Sequence, residues 1–366
     1  MSALLPLLLA RIGAGGPLKL SDYMAECLLN PAHGYYATRD PFGAAGDFIT
    51  APEISQMFGE LIGLALAQSW LDQGAPKRFV LAEIGPGRGT LMADILRACR
   101  KVPGFLEAAE VWLIEASAHL RKVQRQTLGA AKVTWADEVS ALPKDAPLFL
   151  VANEFFDALP IRQFIRDGGA WAERLIGASE EKLIWGRAEA APVPALDYRL
   201  ADTKDGDLVE FCPAAPAIMA EIGARIAAHG GAALIIDYGD WRSLGDTLQA
   251  LSKHHYADPF EAPGTADLTA HVDFEALSRA VPGLNRGALT GQGAFLRRLG
   301  IEQRAGILAR QMRPEAAERH FAALHRLTAP AEMGTLFKVL ALVPRGAPLP
   351  PGIAAPEDPH ELLHHA

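Results

Sequence analysis

A continuous apolar run at 79–84 is followed by three alternate glycines, Gly85, Gly87 and Gly89, and then by apolar residues at Leu91, Ile95 and Leu96. The run reads as a buried strand and the later spacing as a helix, which leaves the glycines in a tight turn between them. Further short apolar runs predict strands at 110–115, 132–137, 147–152 and 232–237, with a last one at 335–343. Ser117 stands where it can cap the helix after the second of these. Alternation at 161–166 and 171–176 about Asp167-Gly168-Gly169 predicts a hairpin, and 182–186 extends it into a meander. Helical spacing recurs at 20–28 and 213–228. Strands that alternate with helices and read as unbroken apolar runs define an α/β fold with a mostly parallel sheet. We expect an N-terminal helical cap and loop over 1–75 and a core over 76–345. Two insertions, at about 161–229 and 240–330, interrupt that core, and a Pro- and His-rich tail over 346–366 is expected to be disordered.

Composition narrows the setting. Half of the 366 residues are hydrophobic, enough to bury a sheet on both faces, and the net charge of −8 gives no global attraction to nucleic acid or to an anionic membrane. A basic protein partner fits that balance better. No apolar stretch approaches a membrane span. The 4–9 run lacks the preceding positive charge of a signal peptide and is read as a helix on the core. Cys27, Cys99 and Cys212 are isolated, which argues for a reducing compartment and against structural zinc; the expected location is cytoplasmic. His254-His255-Tyr256 and Asp267, His271 and Asp273 invite a metal, but no ligand set forms around them, and none is expected.

The glycine turn carries the chemistry. A dinucleotide fingerprint would place a third glycine three residues after the second, where Thr90 stands, and a phosphate loop would need a lysine that is missing. What remains is Glu83-x-Gly85-x-Gly87-x-Gly89, a carboxylate beside a backbone open to a ligand. It resembles the first motif of the class I S-adenosylmethionine-dependent methyltransferases, with a Rossmann-like sheet, whose cofactor carries a cationic amino group and no phosphate. In an open parallel sheet the ligand gathers at the carboxyl ends of the strands, so Glu83 and Glu115 share a rim, with Glu115 suited to two ribose hydroxyls. Glu115 also suits a helix N-terminus for dipole reasons alone. The class resemblance adds Asp137 near the adenine, Asn153 at the cofactor's amino-acid end or the acceptor, and the carboxylates of Glu154 and Asp157 near the transfer site. Two carboxylates suit a planar guanidinium. Asp157 as a turn cap before Pro160, and Glu154 paired with an arginine, stay open as alternatives. Asp237 and Tyr238, at the end of the fifth strand, are placed to line the acceptor site, with ordinary packing an equal alternative for Tyr238.

Several longer segments are more specific. Asn30-Pro31-x-x-Gly34-Tyr35-Tyr36, the loop at 46–56, the turn at 83–90, the segment at 153–160, Ile236-Asp237-Tyr238-Gly239 and the stretch at 264–274 together resemble the MidA-like family, in the same order from about Tyr23 to about Val343. That family includes a mitochondrial complex I assembly factor that methylates an arginine on its target. The resemblance implies S-adenosyl-L-methionine as cofactor and protein arginine methylation, with a respiratory complex I subunit as partner. It implies the mitochondrial matrix as the location of eukaryotic relatives. Glu154 and Asp157 are then catalytic, and Glu83, Gly85, Gly87, Gly89, Glu115, Asp137 and Asn153 bind the cofactor. A cofactor-binding assembly chaperone without turnover, and a small-molecule methyltransferase, are the competing readings. A dehydrogenase is an outsider. The long insertions also suit a homodimer.

Overall fold

The computed structural model describes residues 2–38, 49–252 and 255–356. The main path of its nine-stranded sheet runs through seven strands, in chain order Phe79–Ile84, Ala109–Ile114, Val133–Ala136, Leu148–Asn153, Gly231–Asp240, Leu284–Arg286 and Phe337–Pro344. Numbered in that order, they lie side by side as sixth, seventh, fifth, fourth, first, second, third. The first five pair in parallel, while the seventh runs antiparallel to both the fifth and the sixth. Every residue of the first and fourth strands is buried, which is why they read as unbroken apolar runs. The rings of Phe79, Phe105 and Phe149 pack at centroid distances of 4.9 and 5.2 Å beneath them.

This strand order fixes where a ligand can lie. The chain leaves the first strand toward the second, then returns across the sheet to the fourth and continues the other way. The connections after the first and fourth strands therefore diverge and open a crevice at their carboxyl ends. The helix that follows the glycine turn, Thr90–Cys99, is held against helix Gln56–Asp72 by two glycines. A Cβ on Gly59 would lie 2.6 Å from the Asp94 Cβ, and one on Gly63 would lie 2.9 Å from the Ile95 Cα. Only small residues permit that approach.

The chain forms two units, each from three separated segments. The one just described comprises Ile49–Phe156, Ala217–Trp241 and Phe274–Ala366; the other comprises Met1–Phe48, Asp157–Pro216 and Arg242–Asp273. The second contains the expected hairpin, Arg162–Asp167 with Ala170–Ser179, and its continuation Lys182–Arg187. Leu18–Lys19 and Leu208–Phe211 complete that sheet. Helices Leu5–Gly15 and Leu20–Leu29 bury Leu8, Tyr23, Met24 and Cys27 against Ile161, Ile176 and Leu268.

Two boundaries differ from the hydrophobic pattern. The sixth core strand lies within 240–330, which the pattern assigns to an insertion; three residues around Asn285 are too few to show a period. The stretch 1–75 is shared, its first helices belonging to the meander unit and Gln56–Asp72 to the parallel sheet. Residues 46–48 of the loop motif, His254 and the tail from 357 lie outside the described residues.

Candidate active site

The glycine turn stands at the crevice, and its backbone favours glycine at each of its three positions. Gly85, Gly87 and Gly89 have φ of 66°, 51° and 82°, in the left-handed region that side chains disfavour. A Cβ on Gly85 would also lie 2.8 Å from the Phe155 ring. Gly89 is the residue from which helix Thr90–Cys99 starts. In its first turn the Met92 N–H donates to Glu83, which reaches up from the first strand. Glu83 is 3 % exposed. Burial pushes its carboxyl group up to about 8, with the Met92 N–H opposing the rise. Its Oε2 is buried without a hydrogen-bond partner.

Across the crevice, Asn153 ends the fourth strand and is also buried. Its Nδ2 donates to Glu154 Oε1 at 3.1 Å, while Oδ1 has no partner. Two buried acceptors without donors, one on each of the two central strands, constitute a cost that a bound donor would remove. An ammonium group meets that requirement and a phosphate does not.

Glu115 follows the second strand. Its Oε1 accepts from the Ser117 N–H at 2.7 Å and its Oε2 from Gln124 Nε2 at 3.3 Å. Burial raises its carboxyl group, and these donors oppose the rise. Ser117 caps the following helix by accepting from the Leu120 N–H. Asp137 stands beyond the third strand, exposed, in a 2.6 Å ion pair with Arg121.

Glu154 leaves the fourth strand at φ 51°, a conformation a non-glycine residue adopts only under constraint. Its N–H donates to the Ile236 carbonyl at 2.9 Å, and its Oε1 accepts from the Ala51 N–H at 3.0 Å. Glu53, two residues beyond Ala51, accepts from the Thr90 hydroxyl. The 50–54 segment is thereby tied both to Glu154 and to the helix after the glycine turn. Asp237 differs from expectation: it is fully buried and accepts from the N–H groups of Phe155, Phe156 and Tyr238. Its work is to anchor the turn carrying Glu154 rather than to line an acceptor site. Tyr238 packs edge-on to Phe337 at 5.4 Å.

Asp157 belongs to the meander unit, whereas the other eight residues named for the site belong to the parallel-sheet unit. Its carbonyl accepts from the Ala270 N–H at 3.0 Å. Its carboxylate is near Tyr36, whose hydroxyl donates to Asp267 at 2.8 Å. Burial, then Asp267 and Asp157, push the Tyr36 hydroxyl well up.

Gln124 takes part without having been singled out by sequence, and Glu53 and Thr90 were marked there only as members of longer motifs. For Gln124 a signal existed: with Leu120 it forms the buried stripe of helix Ala118–Leu128, and a polar residue on such a stripe calls for a partner. Among the described residues no group of three or more His, Cys, Asp or Glu could hold a metal ion.

An open sheet with a glycine turn at its switch point and donor-seeking acceptors beside it defines a protein built for a nucleoside cofactor with a cationic amino-acid end. Residues 61–289 match the family described as "Putative S-adenosyl-L-methionine-dependent methyltransferase", and the chain belongs to that family. It is a methyltransferase that uses S-adenosyl-L-methionine. It is 38 % identical over 368 residues to the Protein arginine methyltransferase NDUFAF7, mitochondrial, of Mus musculus, covering 92 % of this chain and 83 % of that one. The Homo sapiens protein of the same name is 36 % identical, with coverage of 92 % and 82 %. A Burkholderia thailandensis crystal structure bound to S-adenosyl-homocysteine superimposes with a TM-score of 0.81 at 32 % identity, covering 96 % of this chain and 94 % of that one. Among the described residues no helix is long and apolar enough to cross a membrane.

Proposed function

We propose that this chain is a class I, Rossmann-like enzyme that methylates an arginine of a protein partner, a respiratory complex I subunit during its assembly, and that it works in the cytoplasm. The arginine acceptor is supported by relatives above 35 % identity that carry that activity in their names. The observation that carries the mechanism is Glu154, held at φ 51° at the switch point with its carboxylate fixed by Ala51 and Asn153.

The bound cofactor supplies a methyl group on a positively charged sulfur, an already activated electrophile. Glu83 and Asn153 receive its ammonium, the glycine turn admits its amino-acid chain against the backbone, and Glu115 takes the ribose hydroxyls. Asp137 is assigned to the adenine edge on the class resemblance alone. The protein's remaining work is to place a guanidinium nitrogen in line and to exclude water. Glu154 orients the guanidinium and offsets its charge, and its carboxylate is the acceptor for the proton the methylated nitrogen sheds. Asp157 is assigned to the acceptor side.

The test is transfer of isotopically labelled methyl from the cofactor to a purified complex I subunit, followed by amino-acid analysis for methylarginine. Glu154→Ala should lower the rate about a hundredfold or more, in the range for a positioned acid–base group. Undiminished transfer would remove Glu154 from the mechanism, and label on any other residue type would reassign the acceptor.

A further inference from the structure

We propose that Gln124 is the positioning residue of the nucleoside end of the site, locking the Glu115 carboxylate and the glycine turn together so that the ribose meets both in register. The inference rests on Glu115 as the ribose carboxylate.

Gln124 has no exposed surface. A buried amide is costly unless its donors and acceptor are used, and here each end has a partner. Nε2 donates to the Gly87 carbonyl at 2.8 Å and to Glu115 Oε2 at 3.3 Å, and Oε1 accepts from Trp135 Nε1 at 2.8 Å. One side chain therefore bonds the glycine turn, the end of the second strand and the third strand. Its methylene carbons lie 3.4 to 3.5 Å from where a Cβ on Gly89 would stand, so it also packs under the turn.

The bonds around Glu115 are complementary. Ser117 holds one carboxylate oxygen and Gln124 the other, while Arg121 Nε donates to the Glu115 carbonyl at 2.6 Å. With both oxygens directed, the carboxylate has one orientation in which to meet two vicinal hydroxyls. Its nearest replacements in size do not reproduce this set of bonds. A glutamate at 124 loses the donor that Gly87 and Glu115 share and sets two carboxylates together, and a methionine keeps the volume but makes none of the three bonds. Arg125 lies 4.8 Å over the Trp135 ring, fixing the indole that holds the amide from the far side.

The test is calorimetric titration of the full chain with S-adenosyl-homocysteine and with its 2′-deoxyribose analogue, alongside thermal melting without ligand. We expect the wild type to prefer the ribose form. Gln124→Met, which loses one charge-assisted and two neutral hydrogen bonds, should weaken S-adenosyl-homocysteine ten- to hundredfold and should shrink the ribose preference. A folded Gln124→Met with wild-type affinity and full preference would overturn the proposal. If that variant fails to fold, Trp135→Phe, which removes one of the three bonds, should still reduce the preference, and an unchanged preference there refutes it. Glu115→Ala provides the separate check: a preference that survives Glu115→Ala disqualifies Glu115 itself and takes the proposal with it. Absence of any wild-type binding would instead count against the cofactor site as a whole.

Discussion

Glu83 carries its carboxyl group where water does not reach, with one N–H for company and one oxygen unsatisfied. The cost is built into the free protein and is titratable. The group's ordinary value is 4.5 and the folded protein raises it to about 8. Below pH 4.5 both folded and unfolded chains hold it neutral. Between that value and about 8 the unfolded chain ionises it while the folded chain keeps the proton, so stability falls as pH rises through this window and levels off above it. Glu83→Gln has no such titration. The stability of wild type minus that of Glu83→Gln, from urea denaturation, should therefore decline between about pH 5 and 8 with a slope of up to ~1.4 kcal/mol per pH unit. Asp94, pushed up to about 6 mainly by burial, titrates in both proteins and cancels from the difference. A flat difference would mean that Glu83 is charged in the free protein and already has a donor.

Among elements, the pair of helices Gln56–Asp72 and Thr90–Cys99 governs the turn, because the second begins at Gly89 and can move only with it. Adding one methyl at Gly63 drives it to 2.9 Å from backbone Ile95. Gly63→Ala should cost roughly 1–3 kcal/mol by overpacking, seen as a lower melting temperature. Its affinity for S-adenosyl-homocysteine should fall too, because the displaced helix carries the turn with it. A variant that melts lower but binds normally would show that the turn holds its shape independently of the helix. The same elements show what a sequence can disclose. Strands buried on both faces announce themselves as apolar runs, and a turn that favours glycine announces itself by composition; hence the places of Glu83 through Gly89, Glu115 and Asn153 at the strand ends were legible. Leu284–Arg286 was not, because its place at the sheet edge comes from the seventh strand's pairing and not from its own residues. Asp237 was seen as a rim residue but its work was not, since the three N–H groups it accepts include two from 81 and 82 residues away. Asp157 shares a motif with Glu154, yet adjacency in sequence did not place the two in one unit.

For the molecule as a whole, the formal charge of −8 bears on how a basic target is found. An arginine presented on a cationic surface would be drawn by the summed field before it meets Glu154, a contribution to encounter and not to chemistry. Salt separates the two. Exposed charges are screened over about 8 Å at 0.15 M ionic strength, whereas a carboxylate held at a strand end by Ala51 and Asn153 is screened far less once its partner is docked. Raising sodium chloride from about 50 to about 300 mM should therefore increase KM for the protein substrate about three- to tenfold while leaving kcat nearly unchanged. Cofactor KM should move little, because Glu83 and Asn153 are buried. Initial rates at saturating cofactor give the first comparison and rates at saturating substrate give the second. If kcat falls with salt while KM stays level, the net charge plays no part in recruiting the substrate, and the salt-sensitive step lies within the bound complex.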